Sequence, residues 1–407
     1  MKILVVHGRY RSSAPSGENH VVDQEVKALE RAGHTVILFE RHSDDIESWT
    51  LPQKLALPAL TVYNPQTRHA LEDLLAKTRP DVVHVHNTFP LLTPSVLHAC
   101  RDAHVPVVAT IHNYKLMCAG GALFRNGKTC HDCLSGTALP AAIHGCYRGS
   151  SIKTIPVVIG MKANRATWRS EVSAFIFISA AQQQLLQGLD LPSGRVFVKH
   201  NFVPRPPERT TAAEHVVAYL GRLDAPKGVP FLMEAWDQFR SARPNSPLRL
   251  SIAGGGPLDR EVMAWASTRP SVTFHGLLTR DQAGALLRRS LAAVVPSRWE
   301  ETFGLVAVEA MANAVAPIAP NRGSFPELIH DGKDGVLYSA DSQSDLVRVL
   351  GDADDHPDTY VRIGEEGRST FQERFTLETS IDRLLDIYQF AIRNPAGQEI
   401  TREGSGV

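Results

Sequence analysis

Two glutamates, Glu301 and Glu309, stand eight positions apart in a segment that starts as a loop after an apolar run and continues as a helix from about Gly304. Backbone N–H groups at the start of a helix have no acceptor within the helix and carry partial positive charge, so they suit a diphosphate. The N–H groups of Phe303, Gly304 and Leu305 occupy this position. Because carboxylate oxygens only accept hydrogen bonds, Glu301 suits the hydroxyls of a sugar and Glu309 those of a ribose. The alternative for Glu309 is a helix cap or a pair with a surface lysine.

A basic loop at residues 221–228 follows another apolar run and adds two cations. Arg222 can bind a pyrophosphate through two parallel hydrogen bonds, and Lys227 can act on it as a point charge. Gly228 permits close approach of the backbone. The alternative is a basic loop that only faces solvent. The Gly-Gly-Gly-Pro turn at residues 254–257 is weak support when taken alone.

Apolar runs that alternate with amphipathic stretches predict the elements that must hold these residues. Uninterrupted runs rich in Val and Ile are typical of strands buried on both faces, and repeated strand–helix–strand units predict a parallel sheet with crossover helices. The predicted strands are residues 3–7, 36–39, 82–86, 105–111, 175–178 and 196–199 in the first half, and 216–220, 248–253, 272–274, 292–295, 315–318 and 336–338 in the second. We therefore expect two doubly wound α/β domains that bind ligands at the carboxyl ends of their strands.

The domain boundaries follow from a proline-rich break after the last strand of the first half. Three prolines between residues 204 and 207 suit an exposed linker. The predicted organisation is an N-terminal domain over residues 1–203, a linker over 204–214, a second domain over 215–375, a last helix over 376–393 and a disordered tail over 394–407.

The composition excludes several classes of protein. The chain has 407 residues with 43 Lys+Arg and 43 Asp+Glu, so no basic excess attracts it to nucleic acid. Hydrophobic residues make up 43% of the chain, which is enough for a core in each domain. No run approaches the roughly 20 apolar residues of a membrane-spanning helix. The N-terminus is typical of a first strand rather than of a signal peptide, so we expect a cytoplasmic protein.

Taken together, these segments resemble the retaining glycosyltransferases of family 4. The matching motifs are Glu-x7-Glu at residues 301–309, Gly-Arg-Leu-x3-Lys-Gly at 221–228, Gly-Gly-Gly-Pro at 254–257 and Gly-Ser-Phe-Pro-Glu at 323–327. The resemblance implies the GT-B fold, in which two Rossmann-like doubly wound domains face each other across a cleft. It also implies that the last helix packs back on the N-terminal domain.

The activity that the resemblance implies is transfer of a sugar, expected to be a hexose, from a nucleotide-diphosphate sugar to an acceptor with retention at the anomeric carbon. No metal cofactor would be needed, because Arg222, Lys227 and the helix start would stabilise the diphosphate leaving group. Glu301 would hold the sugar hydroxyls and Glu309 the ribose. The expected acceptors are a glycan, a lipid-linked sugar or a small-molecule glycoside. Two rivals stay open: a sugar-nucleotide epimerase of the same fold, and a non-catalytic nucleotide-sugar-binding protein.

The resemblance also assigns two residues of the N-terminal half. Gly17 is expected beside the donor phosphates, although its loop lacks the Gly-x-Gly-x-x-Gly of dinucleotide sites. His112 ends a predicted strand, where a single histidine is more often structural, but the family's histidine at this point contacts the donor sugar. Family members often have Asp after this histidine, and here the residue is Asn113. We expect His84 and His86 to face opposite sides of their strand, in structural roles.

Four cysteines bracket a loop in the first half. A Cys-x2-Cys pair between two single cysteines suits a tetrahedral structural zinc held by Cys118, Cys130, Cys133 and Cys146. Free thiols, favoured by a reducing cytosol, and a disulfide are the alternatives. Zinc bound there would order the loop and take no part in glycosyl transfer.

A lipid-linked acceptor would need an apolar entrance. Residues 91–92 and 157–161 are apolar and would allow peripheral contact with the inner face of the membrane. They fit an ordinary core equally well.

Overall fold

The computed structural model describes residues 1–12, 17–210 and 212–398 of the chain. Within these ranges the chain forms two compact units. Unit 1 comprises Met1–Leu123, His131–His200 and the described residues from Ser380 onward, and unit 2 comprises Phe124–Cys130 and Asn201–Thr379. Of the tail predicted over residues 394–407, only the part up to residue 398 is described.

Unit 1 is built around one parallel sheet. The strands before residue 200 are β1 (Lys2–Arg9), β2 (Thr35–His42), β3 (Val82–Val85), β4 (Val107–Ile111), β5 (Phe124–Arg125), β6 (Lys128–Thr129), β7 (Ala174–Phe177) and β8 (Val196–Val198). The two-residue strands β5 and β6 pair with each other as an antiparallel hairpin, which is grouped with unit 2. The other six form a sheet in the order β2-β1-β3-β4-β7-β8, with every neighbouring pair parallel.

Helices connect these strands and cover the sheet. They are α1 (Gly17–Arg31), α2 (Leu51–Leu60), α3 (Pro65–Thr78), α4 (Ser95–Asp102), α5 (Leu139–Ile143), α6 (Ser151–Ala163), α7 (Arg165–Glu171) and α8 (Ala180–Leu185). Six consecutive residues of β1, from Ile3 to Gly8, are buried. This explains the apolar run without polar alternation, because a strand covered on both faces has no solvent side.

Unit 2 repeats this construction. Its strands are β9 (Glu214–Leu220), β10 (Arg249–Ala253), β11 (Val272–Phe274), β12 (Ser290–Val294), β13 (Ala316–Pro320) and β14 (Val336–Tyr338). They form one parallel sheet in the order β11-β10-β9-β12-β13-β14. The last helix, α16 (Leu377–Arg393), belongs to unit 1 from Ser380 onward. The helices of unit 2 are α9 (Val229–Ala242), α10 (Asp259–Ser267), α11 (Arg280–Arg289), α12 (Leu305–Ala312), α13 (Phe325–Leu328), α14 (Gln343–Asp355) and α15 (Pro357–Arg374). Fully buried Trp236 and Phe239 on α9 anchor its core.

Each sheet reverses its strand order at one place. In unit 2 the reversal lies between β9 and β12, and in unit 1 between β1 and β3. Loops leaving the carboxyl ends of two strands at such a switch point run to opposite faces and leave a crevice between them. We therefore expect functional side chains on the loops that follow β1, β3, β9 and β12.

All twelve predicted strands are present, with ends that differ by three residues at most. The predicted class, two doubly wound α/β domains, is therefore confirmed. The hairpin of β5 and β6 was not predicted, because two-residue strands carry no periodic pattern. Within the described ranges, no helix combines the length and the apolar character that crossing a membrane would require.

Candidate active site

The loops after β9 and β12 touch at the switch point of unit 2. The N–H of Arg298 donates to the carbonyl of Pro226 at 2.8 Å. Gly228 has φ of 75°, and a Cβ on it would lie 1.8 Å from the carbonyl oxygen of Pro296. Both the left-handed φ and this close approach require glycine. The contact fixes one loop against the other and brings their side chains together.

Lys227 and Glu301 form an ion pair across the two loops. The Nζ of Lys227 lies 2.7 Å from Oε1 and 3.0 Å from Oε2 of Glu301. Ser297 Oγ and Trp299 Nε1 also donate to Oε2, at 2.8 and 2.6 Å. Glu301 is 6% exposed, so these donors must offset the loss of water around its charge. Oε2 accepts three hydrogen bonds and Oε1 one, which leaves Oε1 as the oxygen with capacity for a further donor.

The second predicted cation, Arg222, takes a different partner. Its Nε lies 3.0 Å from Asp224 Oδ2, and its side chain is 52% exposed. Asp224 also accepts the backbone N–H of Lys227 at 3.0 Å. Arg222 and Lys227 thus face separate carboxylates in this structure rather than one common point. Their convergence on a pyrophosphate stays a prediction that requires Arg222 to turn.

The N-terminus of α12 follows three residues after Glu301. Gly304 precedes the helix with φ of 89°, and a Cβ there would lie 2.6 Å from the ring of Phe325. The N–H groups of the first helical residues, starting with Leu305, have no acceptor within the helix. Phe303 is 2% exposed and anchors this turn in the core. The predicted helix start near Gly304 is confirmed.

The Gly-Ser-Phe-Pro-Glu motif packs against the backbone of this turn. Gly323 has φ of 60°, and a Cβ on it would lie 2.7 Å from the backbone nitrogen of Glu301. The N–H of Ser324 donates to the carbonyl of Glu301 at 3.1 Å, and its Oγ donates to the carbonyl of Phe303 at 2.7 Å. The motif therefore positions the Glu301 loop rather than a ligand.

Glu309 lies on α12 with a half-buried side chain. Burial raises the pKa of Glu309 to about 7, and the charge of Arg280 only partly opposes this. No hydrogen-bond donor to its carboxylate occurs among the described residues. The capping and lysine-pair alternatives thus find no partner here, and the carboxylate is available for a ligand that donates to it.

In unit 1, His112 directly follows β4 and is 8% exposed. Its Nε2 lies 2.9 Å from Nδ1 of His86, which directly follows β3. Burial lowers the pKa of His112 to about 3, with positive groups around it adding to the effect. The imidazole is therefore neutral at physiological pH. With Nε2 engaged by His86, Nδ1 is the ring nitrogen left for a ligand.

The prediction that His84 and His86 face opposite sides was wrong. Their ring centroids lie 4.0 Å apart on one face, as the two-residue period of a strand requires. Glu25 on α1 faces both rings, with Oε1 3.3 Å from Nδ1 of His84 and 3.5 Å from Nε2 of His86. The histidines thus belong to one buried polar network.

Lys199, next to the end of β8, neutralises this network. Its Nζ lies 3.2 Å from Oε2 of Glu25 and 3.0 Å from Oγ of Ser380 on α16. Burial alone would raise the pKa of Glu25, but Lys199 and His84 outweigh it and lower that pKa to about 2. Tyr388, also on α16, lies 2.7 Å from Nδ1 of His84. The network therefore ties α1, β3 and α16 together beneath His112.

A half-buried carboxylate, that of Glu18, lies beside Asn113, the residue after His112. Glu18 Oε2 accepts from Tyr10 Oη at 3.0 Å and from Asn113 Nδ2 at 3.3 Å. Burial raises the pKa of Glu18 to about 7 in spite of these donors. Gly17 is the exposed first residue of α1, and residues 13–16 of its loop lie outside the described ranges.

The contact with Glu18 explains why Asn113 stands where family members often have Asp. An aspartate there would face the Glu18 carboxylate at hydrogen-bond distance, and two buried carboxylates cannot both ionise so close together. The amide donates instead. The change from Asp to Asn is thus matched to Glu18.

Only one group in the described ranges brings three metal-ligating atoms within 4.8 Å of one another: Glu25, His84 and His86. Lys199 already neutralises Glu25, and both nitrogens of His84 are hydrogen-bonded, to Tyr388 and Thr110. We therefore interpret this group as a hydrogen-bonded network.

In the described ranges the five cysteines form no disulfide, and those predicted to hold zinc do not form such a group. Zinc at Cys118, Cys130, Cys133 and Cys146 therefore stays a prediction. A bound ion would have to draw these sulfurs together.

Comparison with known proteins identifies the family. The family described as Glycosyltransferase Family 4 matches residues 15–205, and the one described as Glycosyl transferases group 1 matches residues 205–370. The two matches adjoin and fall one on each half of the chain. The chain belongs to the family 4 glycosyltransferases. The predicted family is thus confirmed.

Relatives of this glycosyltransferase agree with the assignment. The D-inositol 3-phosphate glycosyltransferase of Corynebacterium kroppenstedtii is 30% identical over 186 residues, which cover 44% of this chain and 41% of that protein. The chain thus spans about two fifths of this relative. The glycogen synthase of Mycobacterium tuberculosis is 25% identical over 425 residues, covering 97% of this chain and 95% of that protein.

Solved structures show the GT-B fold. Sucrose-phosphate synthase from Thermosynechococcus elongatus matches with a TM-score of 0.69 and 18% identity, covering 95% of this chain and 98% of that one. Anabaena HepE, solved in complex with UDP, matches with a TM-score of 0.67 and 17% identity, covering 96% and 100%. Neither the epimerase nor the non-catalytic alternative is favoured by these relatives.

Gly228 provides a test of how the glycosyltransferase holds its two loops together. Gly228→Ala adds a collision with the Pro296 carbonyl to the cost of a left-handed φ. Gly276→Ala is the matched control, because its φ of 65° is also left-handed but nothing lies within 4 Å. We expect Gly228→Ala to lower the free energy of unfolding by about 1–3 kcal/mol more than the control. Equal losses, measured by urea denaturation, would show that the loops can separate freely.

Proposed function

We propose that the enzyme transfers a sugar from a nucleotide-diphosphate sugar to an acceptor hydroxyl, with retention at the anomeric carbon. The observation that carries the proposal is the pairing of half-buried Lys227 with buried Glu301, at the switch point of unit 2 next to the N-terminus of α12. It combines a cation and helix N–H groups for a diphosphate with a carboxylate for sugar hydroxyls. HepE, whose structures hold UDP and UDP-glucose, supports a nucleotide-sugar donor.

The diphosphate leaving group gains negative charge during the reaction, and the site must stabilise it. When the bond between the anomeric carbon and the diphosphate oxygen breaks, its electron pair goes to that oxygen and negative charge grows there. Lys227 and the first N–H groups of α12, including that of Leu305, would stabilise this charge, and Arg222 would join them after release from Asp224. No protein acid is then required to protonate the diphosphate.

The sugar and the nucleoside are held by acceptor groups. We assign the free capacity of Glu301 Oε1 to a hydroxyl of the donor sugar and the carboxylate of Glu309 to the ribose. In unit 1, we assign Nδ1 of neutral His112 to the donor sugar and Gly17 to the donor phosphates, as the family resemblance implies. The acceptor stays one of three classes: a glycan, a lipid-linked sugar or a small-molecule glycoside. We place the reaction in the cytoplasm.

Glu301→Gln and Lys227→Ala test the catalytic assignment. Each removes one member of the pair, and we expect transfer to fall by about 10²- to 10³-fold, the usual loss when one transition-state electrostatic contact is removed. Transfer is measured as release of the nucleoside diphosphate with the acceptor present, using the donor that gives the largest thermal shift in a panel of nucleotide sugars.

Matched controls separate this loss from general damage. Glu261→Gln and Lys333→Ala change exposed residues of the same unit and should leave turnover unchanged. Lys227→Ala also leaves the Glu301 charge buried without its cation, so it should destabilise unit 2. Lys227→Met combined with Glu301→Gln should restore the melting temperature but not the activity. Normal turnover in both single variants would remove Lys227 and Glu301 from the catalytic assignment.

Glu309 predicts a pH signature of donor binding. Its pKa of about 7 is raised by burial, so near pH 7 part of the unliganded population is protonated. Hydroxyl donors from a ribose favour the carboxylate and lower this pKa, so binding should release protons near pH 7 and none at pH 9. Calorimetry with UDP-glucose in two buffers of different ionisation enthalpy measures this release. Glu309→Gln should abolish it and Glu261→Gln should not; unchanged release in Glu309→Gln would assign the proton to another group.

We also propose that the four cysteines bind structural zinc. Elemental analysis of the purified protein should find about one zinc per chain. Cys133→Ala should remove the metal, whereas Cys100→Ala should retain it, because Cys100 is buried and lies outside the predicted set. Four titratable thiols and no zinc would leave the free-thiol interpretation.

A further inference from the structure

Exposed apolar side chains are concentrated on one part of unit 1. Ten large apolar side chains of the described residues are exposed, and seven of them lie on α2, α5 and α6. We call these seven the apolar surface: Leu51 and Leu55 on α2, Leu139 and Ile143 on α5, and Ile152, Ile155 and Ile159 on α6. A concentration of this kind on a soluble unit marks a surface that something covers.

On helix α6 the exposed apolar residues lie on one side. Ile152, Ile155 and Ile159 are spaced by three and four residues, so they share one side of the helix, and they are 82%, 47% and 52% exposed. The buried side carries Thr154 and Val157. The helix therefore presents apolar side chains both to its own unit and away from it. Folding of unit 1 accounts only for the inward side.

The three helices adjoin, so their exposed side chains lie on neighbouring elements of unit 1. Near the end of α6, a Cβ on Gly160 would lie 3.4 Å from the carbonyl of Thr61, directly after α2. Asn164 Nδ2 donates to the carbonyl of Val62 at 2.9 Å. At the start of α6, Ser151 Oγ lies 3.5 Å from the carbonyl of Ile143 on α5. The apolar surface thus extends along α6, a length of about 20 Å for a helix of this size.

The helices that carry this surface have charges of one sign. No Asp or Glu occurs in residues 48–71 or in residues 133–170, although the chain has 43 acidic residues. Lys54 on α2 and Lys153 and Lys162 on α6 are exposed. The apolar surface is therefore bordered by cations alone on its own helices.

We propose that the apolar surface docks unit 1 on an anionic lipid bilayer. The apolar side chains would enter the boundary between headgroups and acyl chains, while Lys54, Lys153 and Lys162 would extend to the acidic headgroups. The composition favours lipid over a protein partner. Protein interfaces are enriched in aromatic residues, Met and Arg and depleted of Lys, whereas this surface offers only Leu and Ile with lysines at its border.

This surface differs from the entrance that the sequence predicted. Leu91 and Leu92 are 4% and 0% exposed, and Val157 is 7% exposed, so these residues belong to the core. Of the residues that form the apolar surface, only Ile159 falls within the two predicted segments. The proposal also stands apart from the donor-binding residues assigned in unit 2, so failure of one does not entail failure of the other.

Flotation of the purified full chain with lipid vesicles tests the proposal. The wild-type protein should float with vesicles of phosphatidylcholine mixed with phosphatidylglycerol, less in high salt, and little with phosphatidylcholine alone. Ile152→Ser combined with Ile159→Ser should lower the partition coefficient roughly tenfold or more, because two apolar groups no longer enter the bilayer. The matched control is Met263→Ser with Leu277→Ser, two exposed apolar residues of unit 2, which should float like the wild type.

The lysines are tested separately. Reversing Lys54, Lys153 and Lys162 to Glu should abolish the preference for phosphatidylglycerol, whereas reversing the exposed Lys27, Lys77 and Lys333 changes net charge equally and should preserve it. All substituted side chains are exposed, so melting temperatures should stay close to that of the wild type.

Two outcomes would overturn the proposal. One is a wild-type chain that ignores anionic vesicles. The other is a dimer in light scattering that becomes a monomer in the Ile152→Ser, Ile159→Ser variant, without vesicle binding, because a second copy would then cover the surface.

Discussion

A carboxylate can be buried in its charged form only where a cation and hydrogen-bond donors replace its water, and this constraint shapes the candidate centre of each unit. In unit 2, Glu301 is held by Lys227 from a different loop, together with Ser297 and Trp299. In unit 1, Glu25 on α1 is held by Lys199 from the far side of the sheet order. Each lysine thus joins elements that are distant in sequence.

Much of the fold could be predicted because the central strands are buried on both faces. In β1 the six residues from Ile3 to Gly8 are buried, and the first four of them appear in the sequence as an uninterrupted apolar run. The strands β3, β4, β7, β12 and β13 are likewise buried throughout, whereas edge strands such as β2 are buried only in part. The order of the strands could not be derived in this way. It depends on which crossover helices pass over which face of the sheet, and that choice is made by packing between segments far apart in the chain. The order 3-2-1-4-5-6 in unit 2 and 2-1-3-4-5-6 in unit 1 therefore emerged only from the structure.

In the candidate site, too, features set by neighbouring residues could be predicted from the sequence, whereas contacts between residues far apart in the chain could not. Glu309 and the helix start at Gly304 could be predicted, because a loop, a glycine and an apolar helix adjoin in sequence. The partner of Glu301 could not, since Lys227 is 74 residues away. The error on His84 and His86 was of another kind, because the two-residue period of a strand already places such residues on one face.

The polar groups that sequence reasoning missed lack a local signal. Burial raises the pKa of Glu18, while hydrogen bonds from Tyr10 and Asn113 oppose the rise, and Asn113 lies 95 residues away. Only the departure from the family pattern, Asn in place of Asp, marked the position. Its meaning required the geometry, in which an amide can donate to Glu18 and a carboxylate could not. A departure from a family motif is thus most informative when the structure supplies its partner.

The net charge of the chain does not reveal how its charges are distributed. The 43 positive and 43 negative side chains cancel over the whole sequence, which argues against nucleic acid but says nothing about a smaller region. Residues 133–170 contain five Lys and Arg and no acid, and α6 within this stretch exposes three isoleucines. Soluble surfaces ordinarily intersperse both signs of charge and keep apolar patches small. Residues 133–170 depart from both tendencies, and folding alone does not account for this. Docking on an anionic bilayer does, because the headgroups would repel a carboxylate in this region and would attract a lysine within a Debye length.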